Sequence, residues 1–283
     1  MTAHTKGPDL LRHHAGTLKS SMGTFYAGSH VIFRGADLHA DLKDMDWVEL
    51  YVFGITGRRF SPQQLRVMHS IWTYTSYPDV RLWNNRVTAL AASARSTGNL
   101  GTAAALAVSE ASIYGRGIDM RAITFLLETR AKVEANGGAG NGDRAVIEDC
   151  IRSELKQRRS IAGFGRPILD KDERNPHMLA LLRTFGLDQG PHLRLAFAIE
   201  EELAVGGWRM KMNYAGLAAA IAADFGLSPR EYYLFLFPAF LAGMQPCFVE
   251  AADRPEGTLY AAACADILYD GHPPRAWATR HGG

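Results

Sequence analysis

Cysteine is scarce in this 283-residue chain. The three cysteines, Cys150, Cys247 and Cys264, lie far apart and form no CxxC pair. An odd number of widely spaced cysteines argues against a disulfide framework and against a zinc site of the usual spacing. We therefore expect them to be small buried apolar residues in a reducing compartment, and the sequence predicts no metal site.

Long apolar runs and a strong charge of one sign are also missing. No stretch reaches the roughly 18 uncharged apolar residues of a membrane span, and residues 1–21 contain no apolar core of signal-peptide length. A cytoplasmic protein with no membrane partner is therefore expected. The formal net charge is only +2, which argues against an extended basic surface for nucleic acid. With 47% apolar residues, the chain can form a substantial core.

Helix signals recur along the chain, whereas alternating strand patterns are scarce, so the predicted fold class is all-α. Ser61 is followed by Pro62 and Gln64, the order of a capped helix start with proline at the first helical position. Ser228 and Glu231 repeat this arrangement around Pro229. Because residues 232–237 are apolar nearly all round, the second helix is expected in the core or at a subunit contact.

Two short segments depart from the helical pattern. Apolar residues alternate around Gly28 in residues 24–34, which predicts a short hairpin near the start. Residues 136–143 contain too many glycines for a helix and predict a surface loop between two helices.

The glycine-rich segment 162–169 is the most informative part of the chain. It reads Ala-Gly-Phe-Gly-Arg-Pro-Ile-Leu and is followed by Asp172, Glu173 and Arg174. It resembles the active-site loop of the citrate synthase superfamily, in which a Gly-aromatic-Gly-His turn precedes Asp-Pro-Arg. Other segments resemble motifs of the same family and follow in the same order, namely 33–38, 47–54, 113–117, 212–216 and 269–275. The chain is most similar in length to the stand-alone citryl-CoA lyases.

The resemblance implies an all-α, two-lobed, homodimeric fold with a short N-terminal hairpin and an active site between the lobes. Residues 1–115 would begin the large lobe, residues 116–222 would form the small lobe, and residues 223–283 would complete the large lobe and the tail. It also implies a coenzyme A thioester as a substrate and no tightly bound cofactor.

Three catalytic positions of that family carry different residues here. Tyr114 stands where the family has the histidine of Leu-His-Gly-Gly, and Arg166 replaces the histidine of the glycine-rich loop. Met212 or Asn213 stands in place of the family's aspartate, depending on a one-residue shift, and neither side chain accepts a proton from carbon. A phenol still donates a hydrogen bond to an oxyanion, and a guanidinium still binds a carboxylate in a bidentate manner. The candidate catalytic residues are therefore Tyr114, Arg166 and Asn213.

Substrate binding is assigned to other polar residues. Arg174 matches the arginine of Asp-Pro-Arg and, together with Arg166, favours an anionic ligand. Asn85 and Arg86 are candidates to line the cleft, with a solvated helix start as the alternative. For Tyr114, Arg166 and Asn213 the alternatives are a core aromatic, a salt-bridge former and a helix cap.

Three functions remain open from the sequence. One is a diverged enzyme that makes or breaks a carbon–carbon bond with an acyl-CoA and a carboxylate. The second is an inactive homodimer that binds an anionic metabolite or a protein partner, because losing one of a coupled set of catalytic groups costs nearly as much as losing all. The third is new chemistry centred on Tyr114 and Arg166. Ordinary citrate synthase activity is expected to be absent.

Overall fold

A computed structural model describes residues 7–16, 19–112, 115–137, 141–166, 171–259 and 263–273. The described part is mainly helical. Its strands are β1 (Gly23–Tyr26), β2 (His30–Phe33) and β3 (Ala36–Asp37), and its helices are α1 (Gly7–His14), α2 (Trp47–Thr56), α3 (Pro62–Thr75), α4 (Trp83–Ser93), α5 (Gly98–Val108), α6 (Arg116–Ala135), α7 (Asn141–Arg158), α8 (Arg174–Thr184), α9 (Pro191–Val205), α10 (Tyr214–Asp224), α11 (Pro229–Phe235) and α12 (Leu241–Ala252).

Both helix starts that the sequence predicts are confirmed. Ser61 Oγ accepts a hydrogen bond from the backbone N–H of Gln64, the Gln64 side-chain oxygen accepts one from the Ser61 N–H, and α3 begins at Pro62. Ser228 and Glu231 form the same reciprocal pair at the start of α11. Each pair satisfies backbone N–H groups that a helix start leaves without partners.

The predicted hairpin is present as the antiparallel pair β1 and β2, and β3 extends it to three strands. The predicted loop at 136–143 is shorter than expected, because α6 continues to Ala135 and α7 already begins at Asn141. Residues 138–140 lie outside the described part.

The main core surrounds α10, which packs against α6, α8 and α9. Small residues dominate α10 and are buried on every side, so neighbouring helices can approach it closely. The start of α10 and the start of α6 therefore meet near the middle of the molecule, where the candidate site lies.

A second, smaller core joins α4, α5 and α12. Ala89, Ala92, Cys247 and Ala251 are its buried members, and Phe248 packs against them. In α5 the buried residues are Gly101 and Ala105, whereas Ala103, Ala104 and Ala107 are exposed. Cys150 and Cys247 are free and buried, in agreement with the expectation for cysteine, while the side chain of Cys264 is outside the described part.

Burial along α11 is only partial. Tyr232 and Phe235 are buried, but Leu234 and the following Phe237 are exposed. The apolar run is therefore not wholly within the core of one subunit. Among the described helices, none combines the length and the apolar character needed to cross a bilayer.

Candidate functional site

A cavity of about 350 Å³ opens where the starts of α6 and α10 meet residues 160–166, which include the described part of the glycine-rich segment. Its wall is mostly apolar, and it contains several polar side chains. Those with polar groups in the wall are Thr75, Tyr77, Asp119, Ser160, Arg166, Asp172, Arg174, Asn213, Tyr214 and Tyr232. A largely apolar cavity with a few convergent polar groups is the usual form of a small-molecule site.

Backbone pairing joins two of the motifs that the sequence singled out. Phe164 forms an isolated antiparallel bridge with Met212. On either side of this bridge, the N–H of Gly165 donates to Lys211 O at 2.6 Å and the N–H of Asn213 donates to Gly163 O at 2.9 Å. Gly165 and Asn213, which are 48 positions apart in the sequence, thus lie together on one side of the cavity.

Gly163 makes this approach possible. Its φ of +88° lies in the left-handed region, and a Cβ built there would be 2.7 Å from Gly216 Cα. A Cβ on Gly216 would in turn be 2.3 Å from Gly163 O. Backbone therefore lies directly on backbone at the start of α10, with no room for a side chain on either residue.

Arg174 and Asp172 form a closed ion pair in the cavity wall. Nε and Nη2 of Arg174 donate to the two carboxylate oxygens of Asp172, each at 2.8 Å. Asp172 also accepts from the backbone N–H of Tyr214 at 2.9 Å. Burial alone would raise the pKa of Asp172, but these bonds outweigh it and hold the pKa below its ordinary value. Because both carboxylate oxygens of Asp172 are bonded to the Arg174 guanidinium, a ligand does not readily displace Asp172 from Arg174.

Arg166 has a more exposed partner. Its Nη1 donates to Glu173 Oε2 at 2.6 Å and to Lys171 O at 3.1 Å. The hydroxyl of Tyr77 donates to the other Glu173 oxygen at 2.7 Å. Arg166 first and Tyr77 second lower the pKa of Glu173 to about 2, so this carboxylate is charged at neutral pH. The Glu173 side chain is 54% exposed, so a ligand carboxylate can replace it.

Two buried phenols line the cavity without hydrogen-bond partners. Tyr214 is 1% exposed and Tyr232 is 0% exposed, and neither hydroxyl has a partner among the described residues. Burial raises the pKa of both, so both hydroxyls are protonated and able to donate. The guanidinium of Arg174 lies 4.6 Å from the ring centroid of Tyr214, which fixes that ring by a cation–π contact.

Asp119 is a carboxylate that the sequence reasoning missed. It lies in the first turn of α6 and lines the cavity. Desolvation raises its pKa to about 7, although the charges of Arg116 and Arg174 oppose the rise. Little in the sequence points to Asp119, because an acidic residue in the first turn of a helix is usually explained by the helix dipole.

The predicted site residues fall into three groups. Arg166, Arg174 and Asn213 line the cavity together. The amide of Asn213 has structural partners, since Oδ1 accepts from Gly216 N as the cap of α10 and Nδ2 donates to Gly165 O. Tyr114 lies outside the described residues, although Gly115 next to it lines the cavity.

Asn85 and Arg86 are not among the residues of the cavity wall. Asn85 is buried, and its Nδ2 donates to the carbonyls of Tyr77 and Asp79, which fixes the turn before α4. Arg86 is exposed. Asn85 thus supports the segment that carries Tyr77, and the structure gives neither residue a contact with the cavity.

No protein-family model and no curated protein sequence matches this chain. Solved structures do match it in fold. The citryl-CoA lyase from Hydrogenobacter thermophilus superposes with a TM-score of 0.77 at 20% identity, covering 92% of this chain and 97% of that one. An ATP citrate lyase from Methanosaeta concilii gives 0.70 at 15% identity, covering 95% of this chain and 45% of that one.

A citrate synthase from Thermoplasma acidophilum superposes with a TM-score of 0.61 at 16% identity, over 82% of this chain and 59% of that one. The all-α prediction and the resemblance drawn from the ordered motifs are thereby confirmed at the level of the fold. The chain has the citrate synthase-like fold, in a short form that spans nearly the whole length of a stand-alone citryl-CoA lyase.

Proposed function

We propose that this chain is a citrate synthase-like enzyme that makes or breaks a carbon–carbon bond next to the carbonyl of a coenzyme A thioester. A small carboxylate is its second ligand. Proteins with similar structures include a citryl-CoA lyase, a citrate synthase and an ATP citrate lyase. The observation that carries the proposal is the cavity itself, which combines an exchangeable arginine with an unpaired carboxylate and two buried phenols.

Arg166 is the binding group for the carboxylate ligand. Its partner Glu173 is exposed, so a ligand carboxylate takes the place of Glu173 on the guanidinium without uncovering a buried charge. Arg174 has a different task, because its fork to the buried Asp172 holds the start of α10 through the Tyr214 N–H. Arg174 is therefore a positioning residue.

Charge balance favours a ligand with a single carboxylate. Among the described residues of this cluster, Arg166 and Arg174 face Asp172 and Glu173, so two positive charges meet two negative ones. Only the Arg166 pair opens to solvent. A monocarboxylate such as an α-keto acid fits one exchangeable cation, whereas a dicarboxylate would leave its second charge without a described partner.

Ligand binding tests the proposal. Isothermal titration with pyruvate, in the presence of acetyl-CoA, is expected to show binding that Arg166→Ala weakens about 10-fold or more, because hydrogen bonds to charged groups contribute about 1.5–3 kcal/mol. Arg183→Ala, an exposed arginine of α8 outside the cavity wall, is the matched control and should bind as the wild type does. Indifference of the wild type to acetyl-CoA and to carboxylates would reject the proposal in favour of a non-catalytic scaffold.

The expected absence of ordinary citrate synthase activity has its own test. Release of free thiol from acetyl-CoA and oxaloacetate should stay at the uncatalysed rate, since the family's histidines and aspartate are replaced and the cavity holds one exchangeable cation. A turnover in the usual enzyme range of about 1–1000 per second would contradict this expectation.

A further inference from the structure

We propose that Asp119 is the proton-transfer residue of this cavity, and that its carboxylate removes the proton from the carbon next to the thioester carbonyl. This inference rests on the proposed function and adds to it the base that none of the replaced family positions supplies. It assigns a catalytic role to a residue that lies outside the motifs of the sequence resemblance.

Asp119 lies in the wall of the candidate cavity. Asp119 lines the same cavity as Arg166 and lies one turn beyond Gly115. Gly115 has a φ of +83°, and a Cβ built there would be 2.2 Å from Ser109 O, so the turn into α6 tolerates only glycine. A glycine-dependent turn thus fixes the direction in which α6 starts and, with it, the place of Asp119.

Described neighbours leave the carboxylate oxygens of Asp119 unbonded. Among the described residues, the Asp119 side chain has no hydrogen bond and no ion pair within 4.0 Å, and only burial and the charges of Arg116 and Arg174 act on it. The other carboxylate of the cavity wall, Asp172, has both oxygens engaged by Arg174 and also accepts from the Tyr214 N–H. Of these two carboxylates, Asp119 alone has lone pairs available for a substrate proton.

Two phenols share the cavity wall with Asp119. Tyr232 is buried, lines the cavity and leaves its hydroxyl without a partner, and the charge of Asp119 contributes to the raised pKa of this phenol. Tyr214 offers a second unpartnered hydroxyl in the same wall. Buried polar hydroxyls without partners are rare in native proteins, and a bound water or ligand atom is one way to complete their hydrogen bonds.

Electrostatics agree with the geometry. Desolvation raises the pKa of Asp119 to about 7, against the opposing charges of Arg116 and Arg174. A general base with a pKa near the working pH is both deprotonated in useful amounts and basic enough to act. An ordinary exposed aspartate, with a pKa of about 3.9, would be a far weaker base.

The step conserves atoms and charge. An Asp119 oxygen forms a bond to the α-proton as the C–H bond breaks, and the C–H electron pair becomes the carbon–carbon double bond of the enolate. The π pair of the thioester carbonyl moves onto its oxygen, where a phenol hydroxyl of the cavity wall donates a hydrogen bond. In the cleavage direction the protonated Asp119 returns the proton to the same carbon.

Deuterium exchange into acetyl-CoA tests this step without the unidentified second ligand. The full chain is incubated with acetyl-CoA in D₂O, and NMR follows loss of the methyl proton signal. Asp119→Asn is expected to slow exchange about 100-fold or more, the usual contribution of a general base. Asp119→Glu keeps a carboxylate and should recover part of the rate, and Asp149→Asn, on the exposed face of α7, is the matched control.

The pH profile gives a readout that a structural role would not produce. Wild-type exchange should rise with pH and level off above about 7, because only the deprotonated carboxylate accepts a proton. Exchange by the wild type that Asp119→Asn leaves within threefold would overturn the role of Asp119 while keeping the proposed function. Absence of exchange in the wild type would overturn both.

Discussion

At the level of single residues, the protonation state of Asp119 in the cavity wall changes the free energy of unfolding. Its pKa rises from an ordinary 3.8 to about 7 on folding. Between these values the unfolded chain loses a proton that the folded chain keeps, so the free energy of unfolding falls as pH rises through this window. Well above pH 7 both states are deprotonated and the loss is complete.

Asp119→Asn is therefore expected to stabilise the protein at pH 8 and to leave its stability unchanged near pH 4. Each pH unit between the two pKa values changes the free energy of unfolding by up to about 1.4 kcal/mol. A change of 1 kcal/mol shifts the melting temperature by roughly 2–4 °C. Melting curves of both proteins from pH 4 to pH 8 check this. A variant that is less stable than the wild type at pH 8 would show that Asp119 holds the fold together.

Glu173 competes with the ligand for Arg166, so Glu173→Gln should strengthen carboxylate binding. An exposed ion pair is worth about 0.2–1 kcal/mol, which predicts an increase in pyruvate affinity of up to about fivefold. Titration calorimetry at pH 7 measures it, with Glu201→Gln, exposed on α9, as the control. Weaker binding in Glu173→Gln would mean that Glu173 contacts the ligand directly.

Only some of the residues that line the cavity could be predicted from the sequence. Arg166 and Arg174 were found because they lie within an ordered motif. Asp119, Tyr214 and Tyr232 were missed because each has an ordinary explanation on its own, as a helix-start acid or a core aromatic. What they share is a place in one cavity wall and side-chain oxygens without hydrogen-bond partners among the described residues, which depends on how α6, α10 and α11 meet.

At the scale of the element, the contact between the loop at Gly163 and the start of α10 decides whether the cavity forms. Gly216→Ala would place a methyl group 2.3 Å from Gly163 O, so it should destabilise the protein by about 1–3 kcal/mol and weaken ligand binding. Helix propensity alone predicts the opposite sign, because alanine is favoured over glycine by about 1 kcal/mol.

Gly98→Ala is the matched control in α5, where a new methyl group would meet Phe248 at an ordinary 3.8 Å. It should be neutral or stabilising. Thermal unfolding of both variants compares them directly, and a Gly216→Ala protein as stable as the wild type would contradict the close contact.

Elements with local signals were predictable. The capped starts of α3 and α11 and the hairpin of β1 and β2 follow from residues within a few positions of each other. The partial exposure of α11 was not predictable, since an apolar run says what a helix can bury but not which neighbours cover it. The third strand was missed because its two residues, Ala36 and Asp37, carry no strand pattern.

At the scale of the whole molecule, the order of weak motifs gave the fold where no single motif did. The division into lobes at residues 116 and 222 and the homodimer remain predictions. Light scattering after size-exclusion chromatography should give twice the 31.1 kDa of one chain. The exposed Leu234 and Phe237 of the α11 region are consistent with a covered surface. A monomer at micromolar concentration would contradict the predicted dimer.

We propose the cavity at the starts of α6 and α10 as the ligand site. Backbone hydrogen exchange with and without saturating acetyl-CoA, read by mass spectrometry, tests it most directly. Slower exchange is expected in peptides that cover residues 160–166, 171–174 and 211–218, with little change in α4, α5 and α12. Protection that is absent from these peptides, or confined to another surface, would contradict it.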